Sequence, residues 1–151
     1  MNTGTSGRAM MVRIIWFAMT QAVLPQLTTS GGAVVNVLSI AALASLPVMP
    51  SYSVSKAAAF SLTQAQRALF AARGVRVHAV LAGPIDTDMT RDLQIPKSVP
   101  ADVAQGIYDG VQAGREDIFP DPMAAALQPR WDTGPLKALE RQNAGFLAMA
   151  S

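Results

Sequence analysis

Gly31-Gly32-Ala33-Val34-Val35-Asn36-Val37-Leu38-Ser39 is the stretch on which the reading of the fold turns. Ala33 to Leu38 is short, apolar and rich in β-branched residues, and it follows a glycine pair. It reads as a buried strand that ends at Ser39. About a dozen residues later, Ser51-Tyr52-Ser53-Val54-Ser55-Lys56 opens an alanine-rich stretch of helical composition. That stretch reaches about Ala72 and stops at Gly74. Val75-Arg76-Val77-His78-Ala79-Val80-Leu81 follows as a second strand and runs into Ala82-Gly83-Pro84-Ile85-Asp86-Thr87. A strand, a crossover helix and a second strand make the unit of a parallel sheet. The expected class is therefore α/β, with polar residues gathered where the strands end, the edge at which such sheets bind ligands.

Tyr52 and Lys56 are four positions apart, so on a helix they share a face. A phenol titrates at about 10 in water and becomes a useful proton donor near neutral pH only beside a group that favours its anion. A lysine one turn away carries the charge for that. A serine hydroxyl at a neighbouring strand end, here Ser39, can hold a substrate oxygen. The three residues form a candidate acid/base site for interconverting an alcohol and a carbonyl. Tyr-x-x-x-Lys alone is a weak signal, and its bland alternative is a helix tyrosine beside a surface lysine. The strand–helix–strand context favours the site.

The stretch from about Phe17 to Met89 resembles the short-chain dehydrogenase/reductase family. The resemblance is carried by Ala22-Val23-Leu24-Pro25, Gly32 to Ser39, Tyr52-Ser53-Val54-Ser55-Lys56-Ala57-Ala58 and Gly83-Pro84-Ile85-Asp86-Thr87. A softer match lies in Phe119-Pro120-Asp121-Pro122-Met123 and Leu139-Glu140-Arg141-Gln142, which resemble the tail of one branch of the family. The resemblance implies a partial doubly wound, Rossmann-like parallel sheet of about three strands with flanking helices. It implies that Tyr52 exchanges the proton, that Lys56 activates it and holds the nicotinamide ribose, and that Ser39 orients the substrate carbonyl. Gly83, Pro84, Ile85 and Thr87 match the loop that touches the nicotinamide of NAD or NADP. The implied substrate is a small alcohol or ketone, and the implied activity is its NAD(P)-dependent oxidation or reduction. Specificity is expected from Ile40 to Pro50 and from Met89 to Pro100, which flank the site.

A dinucleotide pyrophosphate is held by a glycine-rich turn between a strand and a helix N-terminus. The sequence has no such unit. Thr3-Gly4-Thr5-Ser6-Gly7 is a faint likeness without a preceding strand, and residues 1–8 read as a loose tail. No acid precedes Asp86, so no carboxylate for an adenosine ribose occurs in the first half. The family's further catalytic asparagine would fall near Val12, whose side chain makes no hydrogen bond. The expectation is one domain, a truncated carboxyl-terminal part of such an enzyme. The alternative is an inactive remnant or dimerisation partner that binds no cofactor alone, either self-associating or pairing with a full-length relative.

The 151 residues suffice for one domain with a core. Half are hydrophobic and 15% are charged, which excludes disorder by composition. There is no cysteine, which excludes disulfides, thiolate metal sites and a cysteine nucleophile and fits a cytoplasmic protein. The net charge of +2 is uneven: residues 1–85 carry six bases and no acid. Those bases are scattered without interleaved aromatics, so they read as solvated arginines on helix faces and not as a nucleic-acid surface. Met10 to Leu24 is apolar, but Thr20-Gln21 interrupt it short of the ~20 residues a membrane span needs. It reads as a helix from about Met11 to Gln26, buried or at an interface, with no membrane partner.

Ser51 is the expected cap of the Tyr52 helix. The single histidine, His78, reads as a strand side chain, and no metal site is expected. Asp86-Thr87-Asp88 reads as a turn and helix cap. Pro100 to about Ala113 is a helix with Val103, Ile107 and Val111 on one face. Asp117-Ile118-Phe119 reads as a short third strand, and Pro122 to Ala148 as two helices split near Asp132 to Pro135.

Overall fold

A computed structural model describes residues 4–147, with side chains from Phe17 onward. Three strands, β1 (Ala33–Val37), β2 (Arg76–Val80) and β3 (Asp117–Ile118), form one parallel sheet in the order β1-β2-β3. Ala33 pairs with Arg76 and Val37 with Val80, while Ala79 pairs with Asp117 and Val80 with Ile118. Helix α2 (Pro50–Ala71) crosses from β1 to β2, and α3 (Pro100–Gln112) from β2 to β3. This is the parallel α/β sheet that the strand–helix–strand pattern predicts, in the partial doubly wound form that the resemblance implies.

The alternation of strand side chains divides the core into two layers. Leu38, Ala79 and Leu81 meet Phe60 of α2, Phe119 and Ala124, with Trp131 against the cluster. Beside them Val75 and Val77 meet Phe70 and Leu24, with Phe17, Leu27 and Val34 alongside. On the other face Val80, Ala82 and Ile118 pack against Ile107 and Val111 of α3. Phe60, Thr63, Gln66 and Phe70 recur at helical spacing, and each large apolar side chain so buried contributes roughly 1.5–3 kcal/mol. The polar members are satisfied: Asn36 Nδ2 donates to Thr63 Oγ1 at 2.9 Å and to Gln66 Oε1 at 3.1 Å.

Several expectations are corrected. The β1 strand is not buried on both faces: Val35 is 39% exposed and Val37 52%. Among the described residues nothing pairs along its outer edge, and α3 covers only the β2 and β3 side chains of that face. Helix α1 spans Gly4–Ser30, so residues 4–8 are helical where a loose tail is expected. Residues 1–3 lie outside the described residues, and so does the side chain of Val12. Helix α1 continues beyond Gln26, its expected end, to Ser30. In its last turns Thr28 Oγ1 donates to Leu24 O at 2.9 Å and Thr29 Oγ1 to Pro25 O at 3.0 Å. Gly31, at φ 63°, then turns the chain out.

Helix α2 starts at Pro50, whose fixed φ and missing N–H suit the first helical position, so Ser51 lies inside the first turn and does not cap it. The tail forms three short helices where two are expected: α4 (Pro122–Ala125), α5 (Gln128–Asp132) and α6 (Pro135–Ala144). Each begins on or beside a proline, at Pro122, Pro129 and Pro135.

Arg67 is not solvated. It leaves α2 towards β3, where Asp117 is 4% exposed. Asp117 Oδ1 accepts from Arg67 at 2.7 Å, and Oδ2 accepts from Lys137 Nζ at 2.7 Å and Trp131 Nε1 at 2.8 Å. Glu140 receives Arg67, together with Lys137 and Gln64 at 3.0 Å each. Lys137 also pairs with Glu116 at 2.8 Å. Burial opposes ionisation of Asp117, but Arg67 and Lys137 outweigh it and hold its carboxyl below the ordinary range. Glu116 is likewise lowered, and Lys137 is raised by the carboxylates around it against the effect of its burial.

A carboxyl lowered in the folded state contributes stability that is present above its unfolded pKa and lost as pH falls through the folded value. Stability is therefore expected to fall on acidification below about pH 4. Asp117→Ala, which leaves two buried cations short of a partner, is expected to cost about 3–5 kcal/mol. Denaturant titration checks both; an unchanged midpoint in the variant would show that the cluster holds nothing together.

Candidate active site

The ladder between β1 and β2 continues past the strand ends. Leu38 N donates to Val80 O at 2.8 Å, and Ile40 N to Ala82 O at 3.0 Å. Ser39 sits between them, buried, where the sheet gives way to a 3-10 turn over Ile40–Ala42. Its Oγ accepts from Ala41 N–H at 3.1 Å, which uses a lone pair and leaves the hydroxyl proton to donate.

Tyr52 lies in the first turn of α2 and is half-buried. Lys56, one turn on, sets its ammonium 5.6 Å from the centroid of the Tyr52 ring, within cation–π range. The same ammonium donates to Val37 O at 3.4 Å. Val37 alternates with Leu38, whose N–H faces β2, so its carbonyl points to the unpaired edge of the sheet. Lys56 thus bridges the start of α2 to the end of β1. Partial burial pushes the Lys56 amine below its ordinary value of 10.5. One of its three protons is committed to Val37.

The connection ahead of Tyr52 is tied to the helix by Ser53, which accepts from Leu46 N–H at 2.9 Å and donates to Met49 O at 3.2 Å. On the other side, Gly83 N–H donates to Asp121 Oδ2 at 2.7 Å. Ser98 N–H donates to Pro84 O, and Asp86 N–H to Ser98 O, both at 2.9 Å, with Ile85 bridged to Ser98. Thr87 caps a second 3-10 turn and exchanges hydrogen bonds with Thr90, the cap role expected of this segment.

The structure therefore brings Tyr52 and Lys56 together and sets Ser39 and Gly83 to Thr87 at the ends of adjacent strands. A groove of about 390 Å³ between α2 and α6, lined by Gln64, Leu69, Asn143 and Leu147, contains none of these residues. His78 is a buried strand side chain, as expected, with Nδ1 2.6 Å from Arg115 O. No group of three or more potential metal ligands occurs among the described residues. No described helix is long and apolar enough to cross a membrane.

The model of the short chain dehydrogenase family matches residues 15–97, more than half of the chain. The chain belongs to the short-chain dehydrogenase family. It is 38% identical over 76 residues to 2-(R)-hydroxypropyl-CoM dehydrogenase of Xanthobacter autotrophicus, covering 50% of this chain and 30% of that protein. It is 40% identical over 78 residues to a probable galactose dehydrogenase of Rhizobium meliloti, covering 51% and 30%. A short-chain dehydrogenase from Burkholderia cenocepacia, solved in complex with NADP, superposes with a TM-score of 0.76 at 33% identity, covering 92% of this chain and 58% of that one. One from Sphingobium yanoikuyae, solved with NADPH, gives 0.64 at 27%, covering 85% and 50%. The chain thus spans under two thirds of the length of each of these proteins.

Sequence reasoning did not single out Asp121 as a partner of Gly83, nor the cluster around Asp117. The prolines flanking Asp121 are the one local signal that the segment is held rigid.

Burial of Lys56 has a direct readout. The chemical shift of its side-chain carbons followed against pH is expected to give a midpoint below 10.5. A midpoint at or above that value would contradict the half-buried placement.

Proposed function

We propose that this chain performs proton transfer in an NAD(P)-dependent interconversion of an alcohol and a ketone, with Ser39, Tyr52 and Lys56 as its reacting and orienting groups. The observation that carries the reading is the half-buried Lys56 ammonium, held between the Tyr52 ring and the carbonyl of Val37 where the sheet ends.

In the reducing direction the Tyr52 hydroxyl gives its proton to the substrate oxygen; in the oxidising direction it takes one back. Lys56 stabilises the resulting phenolate by its charge, which counts for more beside apolar surface than in water. The Ser39 hydroxyl donates a hydrogen bond to the same oxygen and fixes its position. The nicotinamide supplies or accepts the hydride when bound. The residues present fit its ribose end: Lys56 has two further protons for a ribose diol, and the Gly83 to Thr87 backbone is held in one arrangement by Asp121, Ser98 and Thr90. For the pyrophosphate the sequence offers no glycine-rich turn after a strand, so no residue is assigned to it.

A second reading is a dimerisation partner that binds no cofactor alone. The edge of β1, unpaired among the described residues and with Val35 and Val37 exposed, favours it, because such an edge is a template for another chain.

Titration with NADH and NADPH, followed by nicotinamide fluorescence, separates the two. The first reading predicts saturable binding and ketone-dependent oxidation of the reduced cofactor. Tyr52→Phe is expected to keep binding and lose about 10²–10⁴ in turnover, and Lys56→Met to lose both. Absence of binding at millimolar cofactor would leave the second reading.

A further inference from the structure

Asp121 lies just beyond β3, after the buried Phe119, and is itself 4% exposed. Its carboxylate joins two segments that are distant in the chain. Oδ1 accepts from Ala124 N–H at 3.0 Å and caps α4, while Oδ2 accepts from Gly83 N–H at 2.7 Å. Capping α4 needs only the first of these. The second ties the tail of the chain to the point where β2 passes into its loop.

Gly83 is shaped to receive that carboxylate. A Cβ placed there would stand 2.7 Å from Asp121 Oδ1 and 3.3 Å from Cγ. Its φ is not positive, so glycine is required for close approach and not for a left-handed backbone. Residues further along the loop are held separately, by Ser98 at Pro84 to Asp86 and by Thr90 at Thr87. The beginning of the loop depends on Asp121.

We infer that Asp121 is a positioning residue: it sets the backbone of Gly83, where β2 passes into its loop, in the shape that receives the nicotinamide. This rests on the nicotinamide reading given above. A carboxylate serves because both oxygens accept, so two N–H groups share one anionic partner. An amide in its place has one acceptor and one donor. Asparagine is also a good helix cap. Asp121→Asn therefore keeps the bond to Ala124 and turns an NH₂ against the Gly83 N–H, which separates the two roles of the side chain.

The test compares wild type, Asp121→Asn and Gly83→Ala by amide hydrogen exchange and by titration with NADH and NADPH. Both variants are expected to exchange the amide at position 83 at least about tenfold faster, with α2 amides unchanged, and to bind the reduced cofactor about tenfold more weakly. In Asp121→Asn the Ala124 amide stays protected. Gly83→Ala reaches the same contact from the other side, so the test does not depend on one variant folding. Exchange at position 83 or cofactor affinity equal to wild type in both variants overturns the positioning role alone. Failure of the wild-type protein to bind either NADH or NADPH overturns the nicotinamide reading and this role with it.

Discussion

Asp117 is a carboxylate with almost no access to water, and three donors from different parts of the chain converge on it: Arg67 from α2, Trp131 from α5 and Lys137 from α6. A buried charge is tolerable only when partners replace its lost hydration. Once Asp117 is fixed at the start of β3, α2 must lie so that Arg67 reaches it, and the tail must fold back so that Lys137 and Trp131 do. The sheet face is closed by that convergence as much as by Phe60, Phe70 and Leu81.

The consequence for chemistry runs along α2. Arg67 anchors the body of the helix to β3, and Lys56, three turns earlier, reaches the end of β1. Tyr52 is thus presented by a helix tied to the sheet at two points, not by a loop. The opposing wall is also tied, through Gly83 to Asp121. A site whose supporting groups are packed and hydrogen-bonded holds its geometry without reorganising during reaction, which is where most of the advantage of a preorganised site lies.

What was legible in the sequence is what has a local signal. The apolar runs Ala33 to Leu38 and Val75 to Leu81, the glycines at 31, 74 and 83, and the four-residue step from Tyr52 to Lys56 each leave a mark a few residues long. From them the parallel order of strands, the crossover helix and the strand-end location of Ser39 and the Gly83 loop follow. The Asp117 cluster has no such mark. Arg67 meets Asp117 and Glu140 across separations of 50 and 73 residues, so it reads as a solvated helix arginine until the fold is known. The bond between Asp121 and Gly83 spans 38 residues, and that pairing is equally silent. The β1 strand misled for a different reason. Its apolar run fits a strand covered on both faces, while only the Asn36 and Leu38 face is covered among the described residues.

Membership of the short-chain dehydrogenase family gives the chain its class, and the geometry of Tyr52 and Lys56 gives the claim that tests it. The decisive measurement is label transfer. NADH and NADPH carrying deuterium at nicotinamide C4 are each incubated with a panel of small ketones, and the alcohol products are examined by mass spectrometry. The account predicts deuterium in the product with the wild-type protein and its loss with Tyr52→Phe. Equal label with both proteins, or none with the wild type, would contradict it.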